Sequence, residues 1–137
     1  MKKNNKFILW DKSLSMGIND IDDQHKHFIG IINQAYQSHF EKDKSVMKNI
    51  LNDLIEYARI HFSTEEEYFK KWDYPYTEEH MKEHEKLLLK VLKFEDKFES
   101  GKCDCDEFLK FLKDWLENHL MTYDIKYSKY FKEKGFI

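Results

Sequence analysis

Apolar and ligand-type residues recur along this chain at alternating steps of three and four, the spacing of helices that each bury one face. The first stripe runs Ile21, His25, Phe28, Ile32, Ala35 and His39. The second runs Met47, Leu51, Leu54, Ala58, His61, Glu65, Tyr68 and Trp72, and the third His80, His84, Leu87, Val91, Phe94 and Phe98. The fourth is Phe108, Leu112, Trp115 and His119, after which the spacing slips. Polar breaks and stop signals fall between the stripes. Asn19 or Asp20 is expected to cap the first helix, and Glu41 to Ser45 is a polar break. Pro75 ends the second helix, and Thr77 with Glu78 and Glu79 opens the third. Ser100-Gly101 closes the third, and Asp104 with Glu107 resembles a capping box for the fourth. Four long helices with short joins predict an all-α fold, an antiparallel up-down-up-down four-helix bundle. Residues 1–18 are expected to form an N-terminal arm packed on the bundle through Trp10, Met16 and Ile18, with residues 19–137 as a single-domain bundle.

Composition sharpens this picture. One Pro and four Gly in 137 residues are too few punctuators for a turn-rich sandwich or barrel. Eleven Phe, eight Tyr and three Trp suit a well-filled interior. A net charge of −3 argues against nucleic acid. The Lys-rich stretch from Lys126 to Lys134 alternates with aromatics and reads as a solvated helix face. No run approaches the roughly 18 apolar residues of a membrane span, so no membrane is expected. The apolar run Phe7 to Trp10 is too short for a secretory leader. Cys103 and Cys105 stand too close in sequence for a good disulfide and read as incidental thiols of a reducing compartment. The expected location is cytoplasmic.

The placement of the seven histidines carries the chemistry. His61 and Glu65 stand at i and i+4 in the second helix, and so do His80 and His84 in the third. That spacing amounts to about 40° of rotation and 6 Å of rise, so both members of a pair can reach one centre. The fourth helix has His119 five residues before Asp124, and the first contributes His25. In an antiparallel bundle all seven of these residues fall within roughly 5–18 Å of the same end, at 1.5 Å of rise per residue. Five imidazoles and two carboxylates are too many ligands for one metal and suit two metals bridged by the carboxylates. Imidazole with carboxylate fits Fe, Zn, Cu or Mn. The nitrogen-rich set differs from the Glu-rich sites of ferritin-like bundles and favours reversible binding over oxidation chemistry.

With Trp10, Gly17-Ile18, Ile21-Asp22, Gln24-His25 and the ordered HxxxE, HxxxH and HxxxxD elements, the chain resembles the hemerythrin family in its single-domain bacterial form. The resemblance covers nearly the whole chain and lacks no element of the ligand pattern. It implies a non-haem centre of two Fe ions per chain, oxo- or hydroxo-bridged, that binds O₂ reversibly for storage, transport or delivery. One iron would be held by His80, His84 and His119, the other by His25 and His61. Glu65 and Asp124 would bridge both. No catalytic residue is implied. Trp115 and Leu116 would wall the O₂ pocket, and Tyr127 would hydrogen-bond near a bridging carboxylate. O₂ is the implied partner, with an oxygen-using enzyme or membrane oxidase as recipient, and a monomer is expected.

Two other readings use the same site: a di-iron enzyme acting on O₂, peroxide or nitric oxide, or a sensor. No inward Ser, Cys or spare acid is expected beside the ligands, which weakens the enzyme reading. No output domain is expected beyond Phe131, so a sensing role is expected to need a separate partner. The remaining two histidines read as ordinary. His27 lies roughly 200° around the helix from His25 and should face solvent. His39 stands about 21 Å along the axis from His25, too far to join it. Within the run Glu65 to Glu67, one residue is expected as a ligand and two as solvated charges.

Overall fold

The computed structural model describes residues 8–40, 44–102 and 104–137, with the side chains of residues 39 and 40 excluded. Cys103, one member of the cysteine pair, and the side chain of His39 lie outside the described residues. Helix α1 spans Asn19–Phe40, α2 Lys44–Lys71, α3 Thr77–Glu99 and α4 Cys105–His119. A π turn, Leu120–Asp124, joins α4 to α5, Ile125–Glu133, so these three segments form the fourth rod of the bundle. No strand occurs among the described residues.

Side-chain contacts set the directions. Tyr68 meets Asp20 at 3.3 Å while His27 stacks near Tyr57 at 4.1 Å, so α1 and α2 run antiparallel. Lys48 pairs with Glu99 at 3.0 Å at one end of α2 and α3, and Phe69 meets His80 at 4.8 Å at the other. Phe94 against Phe108 and His80 against Tyr123 give the same sense for α3 and the fourth rod. The bundle is therefore up-down-up-down. Its core joins Phe28, Ile32, Leu51, Leu54, Leu87, Val91, Phe108 and Leu112, all at most 2% exposed. Burial of this apolar surface, at about 25 cal/mol per Å², is the main source of cohesion.

Local chemistry sets the boundaries. The Asp104 carboxylate accepts from the Glu107 N–H at 3.1 Å, the expected cap of α4. At α1 the outcome differs from the expected Asn19 or Asp20 cap. The Asp22 N–H bonds the Ile18 carbonyl at 2.9 Å, which puts Ile18 at the cap position. The Asp22 side chain instead reaches back to the Met16 N–H at 2.8 Å and to the Ser15 hydroxyl. Between α2 and α3 the chain reverses through Asp73 at φ 54°, where a left-handed residue stops the helix.

The segment before α1 lies against the bundle. Ile8, Met16 and Ile18 are buried, and Ile8 exchanges two hydrogen bonds with the Asn33 side chain. The Ser128 hydroxyl donates to the Met16 carbonyl at 2.7 Å, fastening this segment to α5. Gly17 turns the chain at φ 77°, a conformation that disfavours any residue with a Cβ. No helix of the described residues is long and apolar enough to cross a membrane.

Candidate metal centre

Seven polar side chains stand where a bundle interior would otherwise hold leucine. His25, His61, Glu65, His80, His84, His119 and Asp124 are each at most 3% exposed. All four rods contribute, α1 and α2 through His25, His61 and Glu65, and α3 and the fourth rod through the rest. They form two groups that share a member. Glu65, His80, His84 and His119 place one ligand-type atom each within 4.8 Å of one another, and so do His25, His61, Glu65 and Asp124.

The two carboxylates link the groups. Glu65 sets Oε1 at 3.0 Å from His84 Nε2 and 3.5 Å from His80 Nε2, and turns Oε2 toward His61 Nε2 at 3.6 Å. Asp124 sets Oδ2 at 3.2 Å from His25 Nε2, and Oδ1 at 3.1 Å from both His80 and His119 Nε2. Each carboxylate thus offers one oxygen to each group.

His119 and Asp124 meet because of the π turn. Five residues of regular α-helix would leave them about 140° apart. The Ile125 N–H bonds the Leu120 carbonyl, an i to i+5 bond that absorbs the extra residue. This is why the apolar spacing slips after His119.

The donor set fits metal ions. Nε2 of His25, His80, His84 and His119, Oε1 of Glu65 and both oxygens of Asp124 are buried without a hydrogen-bond partner among the described residues. Such a collection is costly to bury unless something positive satisfies it. Without a metal, protons take that role. Burial works against charge on His25, His61, Glu65, His80, His84 and Asp124. It lowers the His61 pKa to about 4, and the pull of Glu65 does not offset it. At His80 burial is outweighed by Asp124 and Glu65, which push the pKa up to about 9. Burial also opposes charge on Glu65 and Asp124, yet the surrounding histidines hold both carboxyls well below their usual range. Anionic oxygens between imidazoles are a setting that divalent cations match.

Around this centre stand the other expected residues. The Trp115 ring stacks on His119, with centroids 4.4 Å apart and planes 13° apart, and Leu116 beside it in sequence is buried. The Tyr127 hydroxyl donates to Glu65 Oε2 at 2.6 Å. His27 is exposed, as its position on α1 implies. Several neighbours are not evident from the sequence. Gln24 Oε1 lies 2.8 Å from His61 Nδ1, and Phe62 stacks flat on His84 at 3.7 Å. Glu66, expected as a solvated charge, is half-buried with Oε2 at 3.5 Å from His84 Nδ1. Adjacency to a ligand-type residue is the sole sequence signal for Phe62 and Glu66, and Gln24 enters the sequence reading only through the Gln24-His25 pair of the family resemblance. Whether such a neighbour turns inward depends on how the rods are rotated.

Comparison with known proteins agrees with this architecture. The family model described as "Hemerythrin HHE cation binding domain" matches residues 16–129. A bacteriohemerythrin of Clostridium acetobutylicum is 31% identical over 127 residues, spanning 88% of this chain and 98% of the relative. One of Stenotrophomonas maltophilia is 27% identical over 121 residues, spanning 88% and 79%. The crystal structure of wild-type hemerythrin superposes with a TM-score of 0.84 at 27% identity, covering 90% of this chain and 96% of that one. In sequence, in fold and in the buried cation-ready cluster, this chain belongs to the hemerythrin family.

Proposed function

We propose that this chain binds O₂ reversibly at a non-haem di-iron centre and serves as an oxygen store or carrier. In this reading His80, His84 and His119 hold one iron, His25 and His61 hold the other, and Glu65 and Asp124 bridge them. The observation that carries it is the orientation of the two carboxylates, each with one oxygen toward each histidine group. Family membership and the relatives named bacteriohemerythrin support iron and oxygen as the metal and ligand.

Bound iron would supply the reversible electron exchange with O₂ that no side chain here can perform. The protein's own residues make the setting. Three histidines on one side and two on the other leave the His25–His61 side one donor short, which is where a ligand would enter. Phe28 and Phe62, both buried, flank His61 at centroid distances of 6.4 and 6.0 Å and limit water at the site. Among the described residues the buried acids are Glu65 and Asp124, and both face the histidines. The Tyr127 hydroxyl is already committed to Glu65. Among the described residues no further buried acid stands ready to complete a reduction of O₂, which favours binding over turnover.

Metal quantitation combined with optical spectra through repeated deoxygenation and oxygen exposure tests the reading. Two irons per chain and a reversible colour change are the expected result. Zinc-loaded, colourless protein from iron-replete cells would overturn it, as would fast turnover of peroxide or nitric oxide without reversible O₂ uptake.

A further inference from the structure

A metal-binding imidazole must present a lone pair, so its proton has to sit on the other ring nitrogen. For His61 a chain of hydrogen bonds settles which nitrogen that is. Gln24 Oε1 lies 2.8 Å from His61 Nδ1, Gln24 Nε2 lies 3.1 Å from Thr64 Oγ1, and Thr64 Oγ1 lies 3.1 Å from the Ile60 carbonyl. The chain can be resolved from its far end. A carbonyl only accepts, so the Thr64 hydroxyl spends its single proton on Ile60. Its oxygen is then left to accept, and only the NH₂ side of the Gln24 amide can donate to it. The amide carbonyl must therefore face His61. An acceptor at 2.8 Å requires the proton on Nδ1, which leaves Nε2 with a lone pair directed at Glu65 and the buried centre.

We propose that Gln24, oriented by Thr64, is a positioning residue that holds His61 in its metal-ready tautomer. The proposal deepens the metal-site reading above and rests on it for its purpose, though not for its geometry. Two of the site's other histidines, His25 and His119, lack an equivalent device among the described residues. Nδ1 of His25 and of His119 are buried without a hydrogen-bond partner among the described residues, and His84 Nδ1 faces the Glu66 carboxylate at 3.5 Å. A neutral amide therefore orients His61, while an anion stands behind His84. The His61 side is the one where the ligand count is lower, so a wrongly placed proton there costs a larger share of the binding set.

The test uses the full chain and two variants, Gln24→Leu and Thr64→Val, with Gln24→Glu as the conservative control. Far-UV circular dichroism checks that each is helical. Long-range ¹H–¹⁵N NMR of the zinc-free chain reads the His61 tautomer directly, and zinc titration reads affinity without iron or oxygen. Wild type should show a single Nδ1–H form. Gln24→Leu should show the Nε2–H form in substantial population and lose roughly 10- to 100-fold in affinity for the more weakly held zinc. Thr64→Val, which touches neither His61 nor a metal, should mix the two tautomers because the Gln24 amide is then free to flip. Gln24→Glu keeps an acceptor toward His61 and should retain the wild-type tautomer. A residue that merely tied α1 to α2 would lower stability in these variants without moving the tautomer. An unchanged Nδ1–H form in both Gln24→Leu and Thr64→Val would overturn the proposal, and a change in Gln24→Leu alone would overturn the part assigned to Thr64. If wild type took up no metal the metal-site reading would fail, while the zinc-free tautomer would still decide the role of Gln24.

Discussion

Tyr127 is fully buried among Phe69, Tyr74, His80 and Phe131, and its hydroxyl reaches Glu65 at 2.6 Å across the bundle. Burial, then the charges of Glu65 and Asp124, hold its pKa well above the usual value, so it stays a donor at physiological pH. Tyr127→Phe keeps the ring and removes the donor from a buried carboxylate. The expected loss is about 1.5–3 kcal/mol, typical of a hydrogen bond to a charged group, read as a lower urea midpoint with an unchanged slope. An unaltered midpoint would show that this bond contributes no net stability. Leu116 tests the oxygen reading at the same scale. Leu116→Ala should cost about 2–5 kcal/mol through the cavity it leaves, and should speed both O₂ release and autoxidation of the iron-loaded protein. Unchanged rates would remove Leu116 from the pocket wall. Residues of this kind differ in how far the sequence reveals them. His61 with Glu65, and His80 with His84, declare themselves by a four-residue spacing on an apolar stripe. Gln24 and Glu66 sit off that stripe, and their inward roles depend on the rotation of neighbouring rods.

The π turn is the element in which sequence periodicity and structure part company. The three-and-four spacing defines α1, α2 and α3 with ends close to those found, since polar breaks and Pro75 interrupt the stripes. In the fourth rod the spacing breaks after His119, but composition carries no mark of an i to i+5 bond, and the sequence reads as one helix. Buried positions clarify what the turn does. Leu116, His119 and Leu120 lie before or at its start, and Asp124, Tyr127, Ser128 and Phe131 lie at or after its end. Removal of one residue between the two sets restores a regular helical pattern, so the turn behaves as a single-residue insertion that leaves the faces in phase. Two opposite edits follow from this. Deletion of the exposed Thr122 should give a continuous α-helix that still folds and still takes up metal. Insertion of one alanine at the same point should rotate Asp124, Tyr127 and Phe131 about 100° off the core. The expected outcome is loss of metal binding and of a cooperative melting transition. Thermal melts and metal stoichiometry of the two variants check this, and equal tolerance of both edits would contradict the assignment.

Across the whole molecule the centre gathers side chains from all four rods at the end where α1 and α3 begin and α2 and the fourth rod finish. A purely apolar bundle would be held there by packing. Here that end holds a cluster of groups whose burial is unfavourable without a cation, so cohesion is unevenly distributed along the axis. The far end, with Leu51, Leu54, Phe94 and Phe108, is apolar and holds none of these groups. Metal that binds the folded chain and not the unfolded one stabilises it by RT ln(1 + [L]/Kd), about 4 kcal/mol at a thousand times Kd. For a domain of this size that corresponds to a rise in Tm of roughly 10 °C or more. Zinc is the suitable probe because it has no redox chemistry of its own. Hydrogen exchange should then show where the gain resides. In the metal-free chain, amides around His61, His84 and His119 should open at lower free energy than those around Leu54 and Phe108. Zinc should raise protection most at the histidine end. Equal protection of both ends in the metal-free chain, or a uniform rise along the rods on loading, would mean that the buried cluster is not the weak end of the bundle and that metal acts only through global stability.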